Sequence, residues 1–337
     1  MTSRRRLVAL APMSPADLTG MRFAKGKHCV GTQGYYFLRN HRIHPHAVDV
    51  SSSPGDGCRD RRIRIGRPKA GAAIVHLHAR KPQNGRPYQS PEAFEPFLRA
   101  IKQQFNVVVN LTIGGSPYMT VEERIKPKAV CQPEIASLYM GSTNFRLFPM
   151  LKRFKKFRHD WEPAMLEASH DLVFRNSFKN ISYALETLNG MGARYEFEYY
   201  DSSHLYNLHY FWTEGLVKAP LFIQTVFGLL GGIGPHPEDV MHMKRTADRL
   251  FGDNYRWSVL AAGRAQMPIA AMGASMGGNV RVGLEDSLWI GAGKLAPSNA
   301  DQVTQVRKII EGLGLGVATV DEARQILELK GGDRVAC

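Results

Sequence analysis

Short runs of apolar residues alternate with amphipathic stretches from residue 72 to the C-terminus. The runs at 72–80, 107–115, 134–141, 193–201, 221–228, 255–263 and 279–286 read as strands. Several are apolar almost throughout, as strands of a parallel sheet covered on both faces must be. Between them, 90–105, 120–130, 177–191, 237–251 and 268–276 carry apolar residues at helical spacing, and 298–313 and 320–329 read as terminal helices. Thr319-x-x-Glu322 has the spacing of a capping box. Strands and helices in strict alternation predict a parallel α/β fold. No strand is followed by GxGxxG, which favours a (β/α)8 TIM barrel over an open doubly wound sheet. Seven strands leave the barrel one short, so the first β/α unit is expected to be lost or scrambled.

The missing unit would fall in residues 1–69, which read as a basic N-terminal segment distinct from a catalytic domain at 70–337. His41-Arg-Ile-His-Pro-His46 and Ser51-Ser-Ser-Pro-Gly-Asp-Gly-Cys-Arg-Asp-Arg-Arg62 show neither a strand nor a helix period. Enrichment in Arg, Pro, Gly, Ser, His and Cys without Glu is what a GC-rich gene yields when translated out of frame. Pro54-Gly-Asp-Gly-Cys-Arg-Asp-Arg61 can be encoded so that a start one base later reads Pro-Val-Thr-Ala-Ala-Glu-Ile-Ala, a plausible helix entry with a Thr cap and a Glu three residues on. The alternative is a divergent, poorly ordered extension.

Charge changes the picture less than its size suggests. Of the net +14, the first 69 residues contribute +10, from fourteen Lys and Arg against four Asp. An arm that binds nucleic acid through these arginines and Tyr35-Tyr-Phe37 is the non-enzymatic reading, and the concentration of charge at one end of the chain counts against it. No apolar run is long enough to span a bilayer. Four scattered cysteines form no CxxC and no disulfide framework, so a reduced, cytoplasmic protein is expected.

The candidate chemistry starts at His76-Leu-His78. Residues two apart on a strand share a face, so both imidazoles project together, a normal beginning for a divalent metal site that lacks a third ligand. Barrel enzymes react at the carboxyl ends of their strands. The last predicted strand ends in Glu285 and Asp286, and Glu285 is a candidate third ligand. Neighbours on a strand point opposite ways, so Asp286 is expected in a different role, oriented by Arg281 as a base. Thr112-Ile-Gly-Gly115 and Gly228-Leu-Leu-Gly-Gly-Ile-Gly234 sit where strand-end loops can bring backbone N–H groups to a ligand. His204, Glu196 and Glu198 are candidates for pocket polarity. From the residues alone, a zinc-dependent aldolase or hydrolase remains open.

Three segments add a resemblance. Gly71-Ala-Ala-Ile-Val-His-Leu-His-Ala-Arg80, Glu134-Ile-Ala-Ser-Leu-Tyr-Met-Gly-Ser-Thr-Asn-Phe145 and Val280-Arg-Val-Gly-Leu-Glu-Asp286 resemble the β-keto acid cleavage enzymes, best known for cleaving 3-keto-5-aminohexanoate. The likeness runs from about residue 70 to 329. Tyr139 departs from an asparagine usual at that place. The resemblance implies a zinc-dependent barrel, commonly a homotetramer, that converts a β-keto acid and acetyl-CoA into acetoacetate and a new acyl-CoA. It implies that His76, His78 and Glu285 bind Zn²⁺ and that Arg281 and Asp286 form the base dyad. Thr112 and Ser137, with Gly114 and Gly115, would line the substrate site. Arg80, Lys81 and Arg86 would lie near the CoA phosphates. A copy without its first strand would be inactive. Sequencing the gene tests the frame: the +1 reading of codons 40–68 should continue the helix-like text, and a +1 reading that does not would leave the segment a genuine extension.

Overall fold

A computed structural model describes residues 47–50, for which only the backbone is considered, and residues 71–336 apart from Pro82 and Lys155. In chain order the elements are β1 (Ala47–Val50), β2 (Ile74–Ala79), α1 (Pro91–Gln104), β3 (Val108–Thr112), α2 (Val121–Cys131) and β4 (Ile135–Tyr139). An excursion follows, made of β5 (Thr143–Asn144), α3 (Met150–Arg153), α4 (Trp161–Ala168) and β6 (Val173–Phe174). The alternation then resumes with α5 (Phe178–Asn189), β7 (Arg194–Tyr199), α6 (Ser203–Thr213), β8 (Leu221–Phe227), α7 (Pro237–Phe251), β9 (Tyr255–Ala261), α8 (Gln266–Ser275) and β10 (Asn279–Val280). A hairpin, β11 (Trp289–Gly291) and β12 (Lys294–Leu295), precedes α9 (Asn299–Gly312) and α10 (Val320–Leu327).

Eight strands form one parallel sheet in the order β1-β2-β3-β4-β7-β8-β9-β10. Each strand pairs with the next one in the sheet, as in a barrel-type βα repeat. Among the described residues no pairing joins β10 back to β1. The expected loss of the first strand is not confirmed, because Ala47–Val50 runs parallel to β2 with Ala47 level with His76 and Asp49 level with His78. Four residues inside an Arg- and His-rich stretch are too short to register as a period, which is why the sequence hides this strand. The rest of residues 1–69, with its candidate polyanion-binding arginines, Tyr35–Phe37 and the frame question, lies outside the described residues.

The local signals act as expected. Ser90 Oγ accepts from the Ala93 N–H and Pro91 opens α1. The buried face of α1, Phe94, Phe97, Leu98 and Ile101, packs on Val75, Leu77 and Ala79 of β2 and Val109 and Leu111 of β3. Capping boxes at Thr120/Glu123 and Thr319/Glu322 start α2 and α10. The aromatic-rich α6 and the short α3 and α4 gave no helical period, since few polar positions mark their outer faces.

The other face of the sheet changes character along the strands. At one end Ile74, Val108, Ile135 and Phe222 pack together with Leu327 of α10, an apolar floor. Two residues further along, the same strands present His76, Asn110, Ser137 and Gln224, and β7 beside them presents Glu196, all buried. Period-two alternation thus carries each strand from an oily base to a polar layer. Side chains of β9 on the helix side press close to α8: a Cβ built on Gly273 would lie 2.3 Å from Val259 Cγ2. Gly273→Ala should therefore lose about 1–3 kcal/mol to overpacking, more than the roughly 1 kcal/mol that alanine gains in helix propensity. Urea unfolding reads the sign, and a stabilised variant would refute the close approach.

Candidate active site

A cavity of ≈ 390 Å³ opens at the carboxyl ends of the strands. His76, His78, Arg281, Glu285 and Asp286, five of the residues expected in the site, all line it. The two imidazoles project from β2 on one face, as the spacing predicts. Their Nε2 atoms lie 3.1 Å apart with ring planes tilted by 60°. Burial lowers the His78 pKa to about 4, against the opposing pull of Glu285, so its ring is neutral and ligand-ready at ordinary pH.

The acids correct one expectation. The last strand ends at Val280, and Glu285 and Asp286 sit in a turn where Gly283 O accepts from the Asp286 and Ser287 N–H groups. A turn replaces the predicted strand end, and both carboxylates enter one cavity, Asp286 beside Arg281 as expected at the strand exit. Burial and the Glu285 carboxylate push the Asp286 pKa well up, while Arg281 pulls it down. Asp286 Oδ2 stands 3.9 Å from Arg281 Nε.

Arg281 is the hub. Its Nη1 donates to Glu196 Oε1 at 2.9 Å and to Glu198 Oε1 at 2.8 Å. Burial pulls the guanidinium pKa down, but Asp286, Glu196, Glu198 and Glu285 outweigh it and hold the charge. Glu196 also accepts from Asn110 Nδ2 at 2.9 Å and lies 3.9 Å from His76 Nδ1. A carboxylate behind a ligating histidine orients the ring. Burial pushes the Glu198 pKa up to about 7, although Arg281 pulls it down. Glu196 and Glu198, expected only as pocket polarity, are thus the core of the site. The signal was present in Glu196-Phe-Glu198, the same period-two spacing as the histidine pair.

The remaining expected residues lie around this centre. Gly114 and Gly115 line a second cavity that shares His78, Tyr139, Phe145 and Glu285 with the first. Thr112 and Ser137 are buried and line neither cavity. Thr112 Oγ1 accepts from the Gly114 N–H at 2.9 Å, shaping the glycine turn, and Ser137 Oγ has no hydrogen-bond partner among the described residues. A Cβ on Gly114 would meet the Tyr139 hydroxyl at 3.4 Å, so the glycine leaves room for that ring. His204 is buried away from the cavity, against Gly141. The second glycine-rich loop does both: Gly228, Leu229 and Leu230 line the cavity, as expected of a strand-end loop, while its next two glycines pack. Gly231 has φ +103°, a Cβ there would sit 1.9 Å from Asn144 O, and one on Gly232 would sit 2.8 Å from Tyr200 O.

The roof was not foreseen. The excursion at 142–176 supplies Phe145, Arg146, Leu147, Pro149 and Met150 to the cavity. Arg124, buried in α2, ties down its return: Nη2 donates to Arg175 O and Asn176 Oδ1, both at 3.2 Å. Asn176 in turn donates to Tyr139 O.

Which donors can hold a metal ion follows from distance and charge. Two ligands at about 2.0–2.1 Å from one Zn²⁺ in tetrahedral geometry lie about 3.3 Å apart, close to the observed separation of the imidazole nitrogens. Among the described residues the set of three donors that all lie within 4.8 Å of one another is His76, Glu196 and Glu198, and neither His78 nor Glu285 belongs to it. Both glutamates of that group already neutralise Arg281, whose guanidinium would repel a second cation there. Glu285 lines the same cavity as both rings and is not bonded to Arg281 there, but its carboxylate does not come within 4.8 Å of both of them.

A parallel βα sheet with a polar, carboxylate-rich cavity at its carboxyl end defines a barrel-like enzyme. Comparison with known proteins names the class. The family profile for beta-keto acid cleavage enzymes matches residues 68–329, and the chain belongs to that family. Over 263 residues, 78% of this chain and 85% of the relative, it is 60% identical to the 3,5-dioxohexanoate:acetyl-CoA acetone transferase of Paraburkholderia graminis. It is 32% identical, with the same coverage of each chain, to the 3-keto-5-aminohexanoate cleavage enzyme of Fusobacterium nucleatum. The 3-dehydrocarnitine:acetyl-CoA trimethylamine transferase of Rhizobium meliloti is 30% identical over 77% of this chain and 85% of its own. The apo structure of ObcA superposes with a TM-score of 0.55 at 18% identity, over 77% of this chain, and shows the fold alone. The chain spans 62% of the length of ObcA. Among the described residues no helix is long and apolar enough to cross a membrane.

Removing the hub should be costly. Arg281→Met leaves Glu196 and Glu198 buried without their cation, a loss of about 3–5 kcal/mol, read by urea unfolding. Adding Glu196→Gln and Glu198→Gln should restore part of it. A single variant as stable as the parent would show that the three charges do not depend on one another.

Proposed function

We propose that this chain cleaves a β-keto acid with acetyl-CoA, releasing acetoacetate and the acyl-CoA of the remaining fragment, with Zn²⁺ held by His76, His78 and Glu285. The observation that carries the reading is the 3.1 Å approach of the two Nε2 atoms in a cavity shared with Glu285, Asp286 and Arg281. Membership of the family and the acetyl-CoA-dependent names of the relatives support it. The walls provided by Phe145, Leu147, Val226, Leu260 and Trp289 favour a substrate whose far end is uncharged. That agrees with the 3,5-dioxohexanoate in the name of the 60% identical relative.

Bound at these residues, zinc would supply Lewis-acid polarisation of the substrate's keto oxygen and offset the Glu285 charge beside Asp286. His78, kept neutral by burial, need release no proton to act as a ligand. Asp286 takes a proton from the carbon between the keto and carboxylate groups, and the resulting carbanion attacks the acetyl thioester. Arg281, 3.9 Å from the Asp286 carboxylate, favours its ionised form against the opposing effect of burial. The CoA thiolate expelled by that attack adds to the substrate's own keto carbon, the bond from this carbon to the newly acetylated carbon breaks, and the departing acetoacetate carbanion takes back the proton held by Asp286. Residues 145–150 of the roof exclude water from the carbanion. Gly114 and Gly115 shape the wall on the His78 side, and Thr112 holds their turn by accepting from the Gly114 N–H.

Three measurements test the proposal together. β-Keto acid should disappear only when acetyl-CoA is present, with acetoacetate formed in equal amount; consumption without acetyl-CoA would favour an aldolase or hydrolase on the same scaffold. Asp286→Asn should lower kcat by about 10²–10⁴-fold. His78→Ala and Glu285→Gln should each lose the zinc found in the purified parent, and a variant that keeps full metal content would remove its residue from the ligand set.

A further inference from the structure

The run Phe145-Arg-Leu-Phe-Pro-Met-Leu-Lys-Arg-Phe-Lys-Lys-Phe-Arg158 holds six Arg and Lys and no Asp or Glu. It forms the first half of the excursion over the cavity, and its two kinds of residue part company. Leu147, Pro149 and Met150 line the cavity and Phe154 is buried, whereas Lys152, Lys156 and Arg158 are exposed. Among the described residues neither Lys152 nor Lys156 forms an ion pair, while several helix-surface cations do, such as Arg99 with Glu95, Lys244 with Asp248 and Arg307 with Glu311. Arg146, between the two sets, reaches into the cavity itself.

An apolar underside on a reaction chamber and a basic, exposed outer side suit a ligand of matching polarity. Such a ligand has an uncharged reactive end, a long neutral arm and a polyanionic tail. We infer that the rim formed by Arg146, Lys152, Lys156 and Arg158 binds the diphosphate and 3′-phosphate of CoA, while the thioester descends past Leu147 and Met150 to the carboxylates below. Arg and Lys hold phosphate oxygens by charge-assisted hydrogen bonds. The loop at 80–86, which touches the excursion at Trp161, is less available: Arg80 Nη1 closes its own turn on Gly85 O at 3.0 Å, Lys81 lies over the Tyr88 ring, and Arg86 lies over the Trp161 ring. Those three were the expected phosphate contacts, and each already has a partner in the loop or the excursion. The inference rests on acetyl-CoA as co-substrate.

Calorimetric titration of the full chain with CoA, and with pantetheine as a phosphate-free probe, tests the site without turnover. The triple variant Lys152→Ala, Lys156→Ala and Arg158→Ala should bind CoA about tenfold or more weakly, as three modest ion pairs sum to that. Its affinity for pantetheine should stay that of the parent, and raising salt should weaken CoA binding less in the variant than in the parent. A control triple at exposed lysines elsewhere, Lys126, Lys218 and Lys308, should bind CoA like the parent. Unchanged CoA affinity in the rim triple, or an equal loss in the control, overturns the inference. A parent chain that binds no CoA overturns it together with the proposed reaction. CoA binding that depends on the rim, without any β-keto acid consumed, leaves the site standing and refutes the reaction alone.

Discussion

A guanidinium buried among carboxylates sets the terms for the rest of this structure. Arg281 alone would be a costly charge in the interior, and so would Glu196 and Glu198. Together they form a satisfied cluster, with Asn110 taking another oxygen of Glu196. The cluster needs β3, β7 and the segment after β10 to meet across the curled sheet, so it reports directly on the register of strands far apart in the chain. It also charges the floor of the cavity and places Asp286 and His76 at its edge.

Above that floor the molecule divides its labour by polarity. The strand ends bring nitrogen and oxygen donors, and the excursion brings the apolar cover. Arg124 and Asn176 hold the return of the excursion to the ends of β3 and β4, so the cover is anchored by hydrogen bonds to backbone carbonyls. The glycines of residues 228–234 let that loop pass close against Asn144 and Tyr200, so roof and loop share one packed seam. A chamber built this way is dry enough to strengthen charge interactions and open enough at its rim to admit a long co-substrate.

Much of this was legible in the chain. Most strand and helix positions from residue 74 onward follow from period, α3, α4, α6 and the extent of the last strand excepted, and the pairing of His76 with His78 follows from strand geometry. The capping boxes at Thr120 and Thr319 behave as local chemistry requires. Two kinds of feature escaped. Elements too short to show a period, such as Ala47–Val50 and the pieces of the excursion, carry no pattern to read. Residues whose role depends on the partner that meets them, such as Glu196 and Glu198, look like ordinary polar residues until the partner is known.

By itself, then, the amino-acid sequence determined the alternation of elements, the shared face of the two histidines and the kinship of the chain. These are properties of neighbours, and the backbone enforces them within a few residues. Only the tertiary structure decided that Glu285 and Asp286 share a turn, that Arg281 joins two glutamates from β7, and that the excursion roofs the cavity with its charges outward. Those outcomes depend on how separate strands are aligned and how the sheet curls, which no stretch of sequence encodes locally.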